Sequence, residues 1–476
     1  MMNTLPKIVL LWTDASVWLL MLALIAYVVA VLRQPNLSAN WRKVFRDAPA
    51  MSSALILAFC LTVTLADSVH YRLPLPHTAG AVSQAYDTRT RSLLDAVLLK
   101  LIDSREVTYS RPLAYASFTK ESVTRPDGRT ERTAPRLKHG GIDLSDPDRQ
   151  WSLDLLQRAS LGMLKGSLIA FITVGLLIAA LARSRGTKLR ETAASVWRNE
   201  GEIAWRAALW TLVGLSLLIG VVSSLAGGYH VLGTDTTGND VLYQSLKSIR
   251  TAFVIGALAT LATLPLAVVL GIMAGYFGGW VDEVIQYLYT VLSSVPNVLL
   301  IAACVLMVQV FLDQHPDLFD TAVERSDLKL FLLCAVLGLT GWAGLCRLLR
   351  GETMKLRGLD YVRAAQAFGV SHPRIMWRHI FPNVAHLMLI VTVLEFSSLI
   401  LYEAVLSYVG VGVDPSMNSF GGMINLARKE MSRDPVVWWS FAAAFGFMVT
   451  VVLAANLFAD GVRDAFDPRA RHFKPH

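Results

Sequence analysis

Residues 361–369 read Tyr-Val-Arg-Ala-Ala-Gln-Ala-Phe-Gly, and residues 371–382 read Ser-His-Pro-Arg-Ile-Met-Trp-Arg-His-Ile-Phe-Pro. Together they form a short polar stretch between two hydrophobic segments. The first part is rich in alanine and has no helix breaker before Gly369, the residue type that most readily adopts the left-handed conformation closing a helix. The sequence therefore predicts a short helix that stops at this glycine.

The second part predicts another short helix. Ser371 is placed to cap it, and Pro373 is tolerated in its first turn. Because proline lacks the N–H that a helix interior needs, Pro382 should prevent extension beyond Phe381. We therefore expect two helices joined as an elbow.

The surface of this elbow favours contact with a soluble partner. Ala364 and Ala365 are small enough to let another backbone approach closely, while Arg363, Arg374 and Arg378 supply fixed positive charge at its rim. Such a shape suits a groove on another protein. A plain turn between two helices is the alternative interpretation.

The elbow resembles the EAA motif of ATP-binding-cassette (ABC) importer permeases. That motif is Glu-Ala-Ala, three residues and Gly, followed about ten residues later by an apolar residue and Leu-Pro. Arg363 stands in place of the Glu and Phe381 in place of the Leu. In the family this loop is the coupling helix that docks on the ATPase subunit. The resemblance implies an ATPase-coupling loop at Tyr361, Arg363, Ala364, Ala365, Gly369, Ser371, Pro373, Ile380 and Pro382.

Composition indicates that most of the chain lies in lipid. Hydrophobic residues make up 54% of the chain and charged residues 17%, against about 25% charged in soluble domains; the mean hydropathy is +0.47. A span needs about 20 mostly apolar residues. Nine segments meet this pattern, the second being short: 15–32, 51–66, 160–182, 207–226, 252–274, 284–312, 329–349, 384–409 and 436–459.

Orientation follows from the Lys and Arg residues of the connections, which concentrate on the cytosolic side of membrane proteins. The clusters are Arg33, Arg42, Lys43 and Arg46; Arg183, Arg185, Lys188, Arg190 and Arg198; Arg350, Lys355, Arg357, Arg363, Arg374 and Arg378; and, in the tail, Arg463, Arg469, Arg471 and Lys474. Nine crossings then place the C-terminus in the cytosol and the N-terminus outside. Basic residues at 428–433 fall on the outer side and run against this rule.

The net charge of +8 is explained by these cationic loops beside anionic lipid and requires no nucleic acid. The four cysteines, Cys60, Cys304, Cys334 and Cys346, lie in or at the end of apolar stretches without CxxC spacing. We interpret them as small buried side chains rather than disulfides or ligands. No metal site is predicted.

The chain divides into two parts. Residues 205–476, with six spans, resemble the second permease of dipeptide and oligopeptide importers, which implies the all-helical type I ABC importer fold with its MetI-like transmembrane core. The coupling loop occupies 351–383. Residues 1–204 add three spans and a segment, 67–159, predicted to be extracytoplasmic.

Two further motifs carry the resemblance. Residues 233–240, Gly-Thr-Asp-Thr-Thr-Gly-Asn-Asp, resemble the Gly-Thr-Asp-x-x-Gly-Arg-Asp pattern of peptide and nickel permeases. The Gly and Asp residues also predict a tight, polar turn, because both residue types favour turns. Residues 274–282, Ala-Gly-Tyr-Phe-Gly-Gly-Trp-Val-Asp, follow at the family's spacing. The predicted turn residues are Gly233, Thr234, Asp235, Gly238, Asp240, Gly275, Gly278 and Gly279.

The sequence lacks any Gly-x-x-x-x-Gly-Lys-Ser/Thr motif for nucleotide phosphates. The resemblance therefore implies that the chain is not an enzyme and binds no cofactor itself, with ATP and Mg held by two partner ATPase subunits. It also implies a second permease chain, an extracytoplasmic substrate-binding protein and a place in the bacterial inner membrane. The implied cargo is short peptides; nickel, an opine or an oligosaccharide is the alternative within the family. A stand-alone secondary transporter or channel is the alternative from another class.

Two carboxylates lie within the eighth predicted span. Glu395 and Glu403 are eight residues apart, which corresponds to about 80° around a helix axis, so both are able to face the interior of the helix bundle. Charges inside a bilayer are costly unless they face protein or water. They are candidates for the translocation pathway; packing hydrogen bonds or exposure near the outer end are the alternatives.

Overall fold

The computed structural model describes residues 6–75, 86–124, 130–319 and 321–466. It is predominantly helical. In chain order the helices are α1 (Trp12–Arg33), α2 (Pro35–Arg46), α3 (Ala48–Asp67), α4 (Leu93–Val97), α5 (Leu99–Asp103), α6 (Pro147–Arg185), α7 (Leu189–Trp197), α8 (Trp205–Leu225), α9 (Val241–Phe277), α10 (Gly279–Ser294), α11 (Asn297–Gln314), α12 (Ala322–Gly341), α13 (Ala343–Arg357), α14 (Asp360–Ala367), α15 (His372–Ile375), α16 (Phe381–Val409), α17 (Phe420–Glu430) and α18 (Trp439–Phe466).

Short strands flank these helices. They are β1 (Lys7–Val9), β2 (His70–Arg72), β3 (Arg91–Ser92), β4 (Glu121–Thr124) and β5 (Thr130–Thr133). The first three form an antiparallel sheet in the order β1-β2-β3, and β4 and β5 form a hairpin. The sheet joins the N-terminal strand to the segment that follows α3.

Eight helices of the described ranges are long and apolar enough to cross a membrane: α1, α3, α6, α8, α9, α11, α16 with its preceding turn, and α18. The pair α12 and α13, bent by 41°, supplies a ninth. The short second span, predicted at 51–66, belongs to the full-length α3. The fold is an all-helical membrane protein with extra N-terminal spans, as the sequence predicts.

Several predicted spans have different boundaries from the helices, and two of them involve a proline. The segment 284–312 is not one helix, because α10 ends at Ser294 and α11 begins at Asn297. Pro296 lies in the break, where its missing N–H would interrupt a continuous helix. In contrast, α9 contains Pro265 without ending and begins eleven residues before the predicted start at 252.

The N-terminal part packs directly on the rest of the chain. Cys60 of α3 lies in one hydrophobic cluster with Ile249 of α9, Ile400 of α16 and Val451 of α18. Close backbone contact also joins α6 to α8: a Cβ added at Gly220 would lie 2.5 Å from the carbonyl oxygen of Gly162. Small residues allow such approach between membrane helices, so residues 1–204 share their packing with the permease-like part.

The helix layer has two ends with different contents. We call the end that holds α2 and residues 358–380 the elbow end, since Val44 of α2 packs with Val462 of α18 and Leu389 of α16 there. We call residues 86–124 and 130–144 the cap, and the opposite end of the layer the cap end. Tyr109 of the cap donates a hydrogen bond to Glu430 of α17 at 3.0 Å.

Candidate functional site

The first half of the elbow has the predicted form. Helix α14 runs over Asp360–Ala367, and Gly369 follows with φ +73°. No heavy atom lies within 4 Å of the position that a Cβ at Gly369 would take. The glycine is therefore required for its left-handed backbone rather than for space.

The second half corrects the sequence prediction. Helix α15 covers only His372–Ile375, a π-helical turn over Met376–Ile380 follows, and α16 starts at Phe381. Pro382 thus lies in the first turn of a long helix instead of ending a short one, because the wider turn before it changes the hydrogen-bond register and the first turn needs no proline N–H. Ser371 precedes α15, but its side chain makes no capping hydrogen bond.

Three apolar side chains hold the elbow to the helix layer. Val362, Ile375 and Ile380 are all 0% exposed and share a cluster with Tyr276 of α9 and Leu349 of α13. Burying an aliphatic side chain of this size stabilises a fold by roughly 1.5–3 kcal/mol. The underside of the elbow is therefore fixed to α9 and α13.

A hydrogen-bonded tyrosine adds to this attachment. The hydroxyl of Tyr276 lies 2.8 Å from Nδ1 of His372 and accepts a 3.2 Å hydrogen bond from the Gln366 amide. One α9 side chain thus contacts both halves of the elbow. Tyr276, His372 and Gln366 are not among the predicted site residues, since only glycines are predicted from the 274–282 motif. The aromatic hydroxyl of Tyr276, next to Gly275, was the available signal.

The glycines of that motif have two separate roles. A Cβ at Gly275 would lie 2.6 Å from Cβ of Thr353, so this glycine permits close contact of α9 with α13. Gly278 and Gly279, with φ +64° and +56°, make the turn into α10. Both the sharp turn and the close packing predicted from the sequence are present.

The outward face of the elbow is uncovered. Phe368 is 87% exposed and Trp377 is 71% exposed. Large aromatic side chains are seldom this exposed, unless they contact another molecule. Arg363 is also exposed. The other predicted members of the loop divide between the two faces: Tyr361, Ala364, Ser371, Pro373 and Pro382 are exposed, Ala365 is half-buried and Ile380 is buried.

The turn at residues 233–240 lies at the cap end. Gly233 and Gly238 have φ +75° and +76°. The Asp235 carboxylate accepts hydrogen bonds from the backbone N–H groups of Thr237 and Asn239 at 2.8 and 2.9 Å. This turn leads directly into α9.

The last residue of the turn caps α9. The Asp240 carboxylate accepts hydrogen bonds from the backbone N–H groups of Leu242 and Tyr243 at 2.8 and 3.1 Å. These bonds satisfy N–H groups that have no partner within the helix. The turn and the first turn of α9 therefore form one hydrogen-bonded unit.

The cap packs closely against this turn, although Thr236 and Thr237 stay exposed. The hydroxyl of Thr234 donates to the Thr108 carbonyl at 2.9 Å and accepts from the Ser110 N–H at 2.6 Å. A Cβ at Gly238 would lie only 1.9 Å from the carbonyl oxygen of Glu106. The turn therefore has no room for a side chain at Gly238.

A buried histidine links the cap to the turn. Nδ1 of His230 lies 2.7 Å from the Asp240 carboxylate, and Nε2 lies 3.6 Å from the Glu106 carboxylate. Burial alone lowers the pKa of His230, but the contacts with Asp240 and Glu106 outweigh it and raise that pKa to about 9. The imidazole is therefore a buried cation between two carboxylates at neutral pH.

Glu106 is the cap's side of this contact. Its carboxylate accepts hydrogen bonds from the backbone N–H groups of Lys138 and His139 at 3.0 and 2.7 Å. Burial raises its pKa, whereas His230 and these N–H groups lower it more strongly, to about 2. Nothing in the sequence placed Glu106 beside the turn, because more than 120 residues separate them.

Carboxylates of the N-terminal part also form ion pairs with Lys247 and Arg250 of α9. The guanidinium of Arg250 donates to the Asp14 carboxylate at 2.6 Å and lies 3.6 Å from that of Asp327; all three residues are buried. One turn earlier, Nζ of Lys247 lies 3.0 Å from Asp67 and 2.8 Å from Asp95. A cavity of about 250 Å³ lies beside these pairs.

These ion pairs are not among the predicted site residues. The predicted fifth span began at 252 and so left both α9 cations outside it. Their spacing of three residues, on one face of a helix, was the available signal. The pairs fix the N-terminal part against α9, since removing one partner of a buried pair leaves an uncompensated charge.

The two pathway candidates occupy different environments. Glu403 is 1% exposed and accepts a hydrogen bond from the Ser407 hydroxyl at 2.6 Å, which favours the packing interpretation. Glu395 is half-buried, and its carboxylate has no hydrogen-bond partner within the described ranges. Glu395 is the better candidate for a surface that another group completes.

No cluster of three or more His, Cys, Asp or Glu side chains able to hold a metal ion occurs among residues 6–75, 86–124, 130–319 and 321–466. The four cysteines are free, with Cys304 half-buried and the other three buried.

Comparison with known proteins gives a consistent result. The profile of the family described as binding-protein-dependent transport system inner membrane component matches residues 267–472, which include the elbow. The oligopeptide transport system permease protein OppC of Mycobacterium tuberculosis is 32% identical over 248 residues, 52% of this chain and 79% of the relative. OppC of Haemophilus influenzae is 31% identical, covering 51% and 72%. The glutathione transport system permease protein GsiD of Pectobacterium atrosepticum is 30% identical, covering 51% and 73%.

Proposed function

The chain belongs to the family of binding-protein-dependent transport system inner membrane components, and from this premise we propose that it is the permease subunit of an ATP-driven importer for short peptides. The relatives named for oligopeptides and for glutathione, itself a tripeptide, support the cargo. The chain supplies half of a membrane pathway. A second permease chain supplies the other half.

The observation that carries the proposal is the two-faced elbow. Its outward face offers the exposed side chain of Phe368, while its underside is fixed through Val362 and Ile375 to α9 and α13. A body bound to the outward face moves those helices with it. Two ATPase subunits, which bind ATP and Mg, are the proposed bodies, and in this proposal the elbow end and the C-terminus lie in the cytosol.

The proposed cycle needs no covalent chemistry from this chain. ATP binding closes the two ATPases, the elbow follows them, and the spans change from inward-open to outward-open. An extracytoplasmic binding protein then delivers the peptide, and hydrolysis resets the cycle. The energy acts through the different affinities of the two permease conformations for their partners.

Glu395 is the proposed polar contact on the pathway. Its half-buried carboxylate has no hydrogen-bond partner in the described part of the chain, and a bilayer penalises such a group unless protein or water faces it. The second permease chain or passing cargo would provide that environment. Glu403, already bonded to Ser407, stabilises helix packing instead.

The experiment is co-purification of the full chain from native membranes in mild detergent, with partners identified by mass spectrometry. We expect a second permease chain and two kinds of ATPase, or two copies of one. Phe368→Ala should lose the ATPases by at least tenfold while the second permease stays, because central aromatic contacts dominate binding energy. Phe171→Ala is the matched control, since Phe171 is 78% exposed on the lipid-facing α6.

Uptake measurements test the cargo separately. ATP-dependent uptake of a labelled tripeptide supports the proposal, whereas uptake of nickel, an opine or an oligosaccharide in its place would keep the family and change the cargo. Purification of the chain alone, with uptake insensitive to ATP depletion, would replace the proposal by a stand-alone secondary transporter.

A further inference from the structure

The N-terminal part carries a cationic cavity at the elbow end. Helix α2 connects two spanning helices, α1 and α3, so it lies where the hydrocarbon core ends. One side of α2 is anchored: Val44 is 0% exposed, and the ring of Trp41 stacks on Phe458 of α18. The opposite side of α2 faces away from the helix layer.

That opposite side forms a cavity of about 400 Å³ with the segment before α8. Arg42, Lys43 and Arg46 line it, and Glu202 is the only acidic residue among its lining. The Ala204 N–H donates to the Phe45 carbonyl at 2.8 Å, which holds the second wall against α2. The cavity is therefore built from two fixed segments and has a strong excess of positive charge.

The single ion pair within the cavity is weak. Arg42 contacts Glu202 at 2.8 Å, but the two side chains are 59% and 72% exposed. Pairs between exposed charges contribute little, because water competes and the long side chains lose entropy. An external anion is able to replace Glu202 as the partner of Arg42 at a small cost in free energy.

Two tryptophans give the depth of the cavity. Trp197 of α7 and Trp210 of α8 are 61% and 59% exposed, and their rings lie 6.3 Å apart. In the chain they flank the segment that holds Glu202. Exposed tryptophans concentrate at the membrane–water boundary. The cationic side chains therefore lie at the level of lipid headgroups.

We propose that this cavity binds the phosphate headgroup of an anionic membrane lipid through Arg42, Lys43 and Arg46. Basic pockets beside spanning helices attract such headgroups, and each cation near the charged surface strengthens binding about fivefold. The bound lipid would bridge α2 and the segment before α8, and so join the extra spans to the first helix of the permease part. This inference does not depend on the transport proposal.

The test uses the full chain in lipid nanodiscs made from phosphatidylcholine with or without phosphatidylglycerol. Native mass spectrometry after release counts retained lipids, and thermal unfolding gives the accompanying stabilisation. We expect selective retention of phosphatidylglycerol by the natural chain. Arg42→Gln/Lys43→Gln/Arg46→Gln should weaken it on the order of a hundredfold, the product of three fivefold contributions.

The matched control is Arg183→Gln/Arg185→Gln/Arg190→Gln, which removes the same charge from exposed positions around the α6–α7 junction and should retain the lipid. Glu202→Gln should strengthen retention, because it removes the competitor for Arg42. Equal losses in both triple variants, no loss in either, or weaker retention by Glu202→Gln would each overturn the proposal. If inorganic phosphate alone stabilised the chain against thermal unfolding as much as phosphatidylglycerol does, the ligand of the cavity would be free phosphate and the lipid proposal would be wrong.

Discussion

Gly369 in the elbow and Gly238 in the capped turn have nearly the same backbone, with φ +73° and +76°. Their surroundings are opposite: the Cβ position of Gly369 meets no heavy atom within 4 Å, whereas that of Gly238 lies 1.9 Å from the carbonyl oxygen of Glu106. One motif leaves its surface open and the other is covered by the chain itself. Two glycines with the same backbone conformation, in stretches that resemble the same family, are therefore needed for different reasons: Gly369 for its conformation alone, and Gly238 also for space.

The largest expected effect comes from substituting these two glycines in parallel. In Gly238→Ala, the alanine must adopt a left-handed backbone conformation, and its Cβ also clashes with the Glu106 carbonyl oxygen. We therefore expect the free energy of unfolding to fall by more than about 3 kcal/mol. Gly369→Ala carries the backbone strain alone, about 1–2 kcal/mol. Thermal unfolding of the purified chain measures both. Equal losses would show that the cap does not close on the turn as described.

The next effect is a pH dependence confined to the capped end. The pKa of His230 is raised from 6.5 to about 9, so its stabilising contribution is complete below pH 6.5 and is lost as the pH rises through about 9. The pKa of Glu106 is lowered from 4.5 to about 2, so its contribution is complete above pH 4.5 and is lost as the pH falls through about 2. The cap should be most stable between pH 4.5 and 6.5.

Unfolding measurements across pH check this expectation. From pH 6.5 to 9 we expect a loss on the order of 2–3 kcal/mol. His230→Gln removes the titrating cation, so its stability should be lower at pH 6 and nearly flat over the same interval. An unchanged slope in this variant would assign the pH dependence to other groups.

A smaller effect concerns the charge of the open end. Arg363, Arg374 and Arg378 are all exposed on the elbow, so a partner that docks there should be acidic. Arg363→Glu should then weaken ATPase co-purification about tenfold, although it introduces the residue usual in the EAA motif. Arg190→Glu, an equal reversal on α7, is the control. Stronger association of Arg363→Glu would indicate a basic partner surface instead.

Local signals in the sequence predicted the elements but not their long-range partners. Alanine content and Gly369 correctly predicted α14 and its end, because both act within a few residues. Apolar runs predicted nine crossings for the same reason. The contacts of Gly238 with Glu106 and of Arg250 with Asp14 join residues far apart in the chain, and no local pattern specifies them.

Pro382 shows a different limit. The prediction that it ends a helix is wrong, because a first helical turn needs no proline N–H, and the position of that turn depends on the π-helical residues Met376–Ile380. These residues are placed by the burial of Ile375 and Ile380 against α9 and α13. Tertiary packing therefore decided whether the proline ended one helix or began another.

The smallest expected effect is a difference in stability between two serines that precede short helices, one in the elbow and one at the start of α17. Ser371 occupies the capping position of α15 without a side-chain hydrogen bond, whereas Ser419, at the start of α17, accepts a 3.0 Å hydrogen bond from the Gly422 N–H and is 2% exposed. Ser419→Ala should cost about 1 kcal/mol. Ser371→Ala should change the unfolding free energy by less than about 0.5 kcal/mol, because it removes no bond from an exposed position. A cost for Ser371→Ala equal to that for Ser419→Ala would mean that the serine caps α15 in solution, and the elbow would then be held by its own hydrogen bonds as well as by its buried underside.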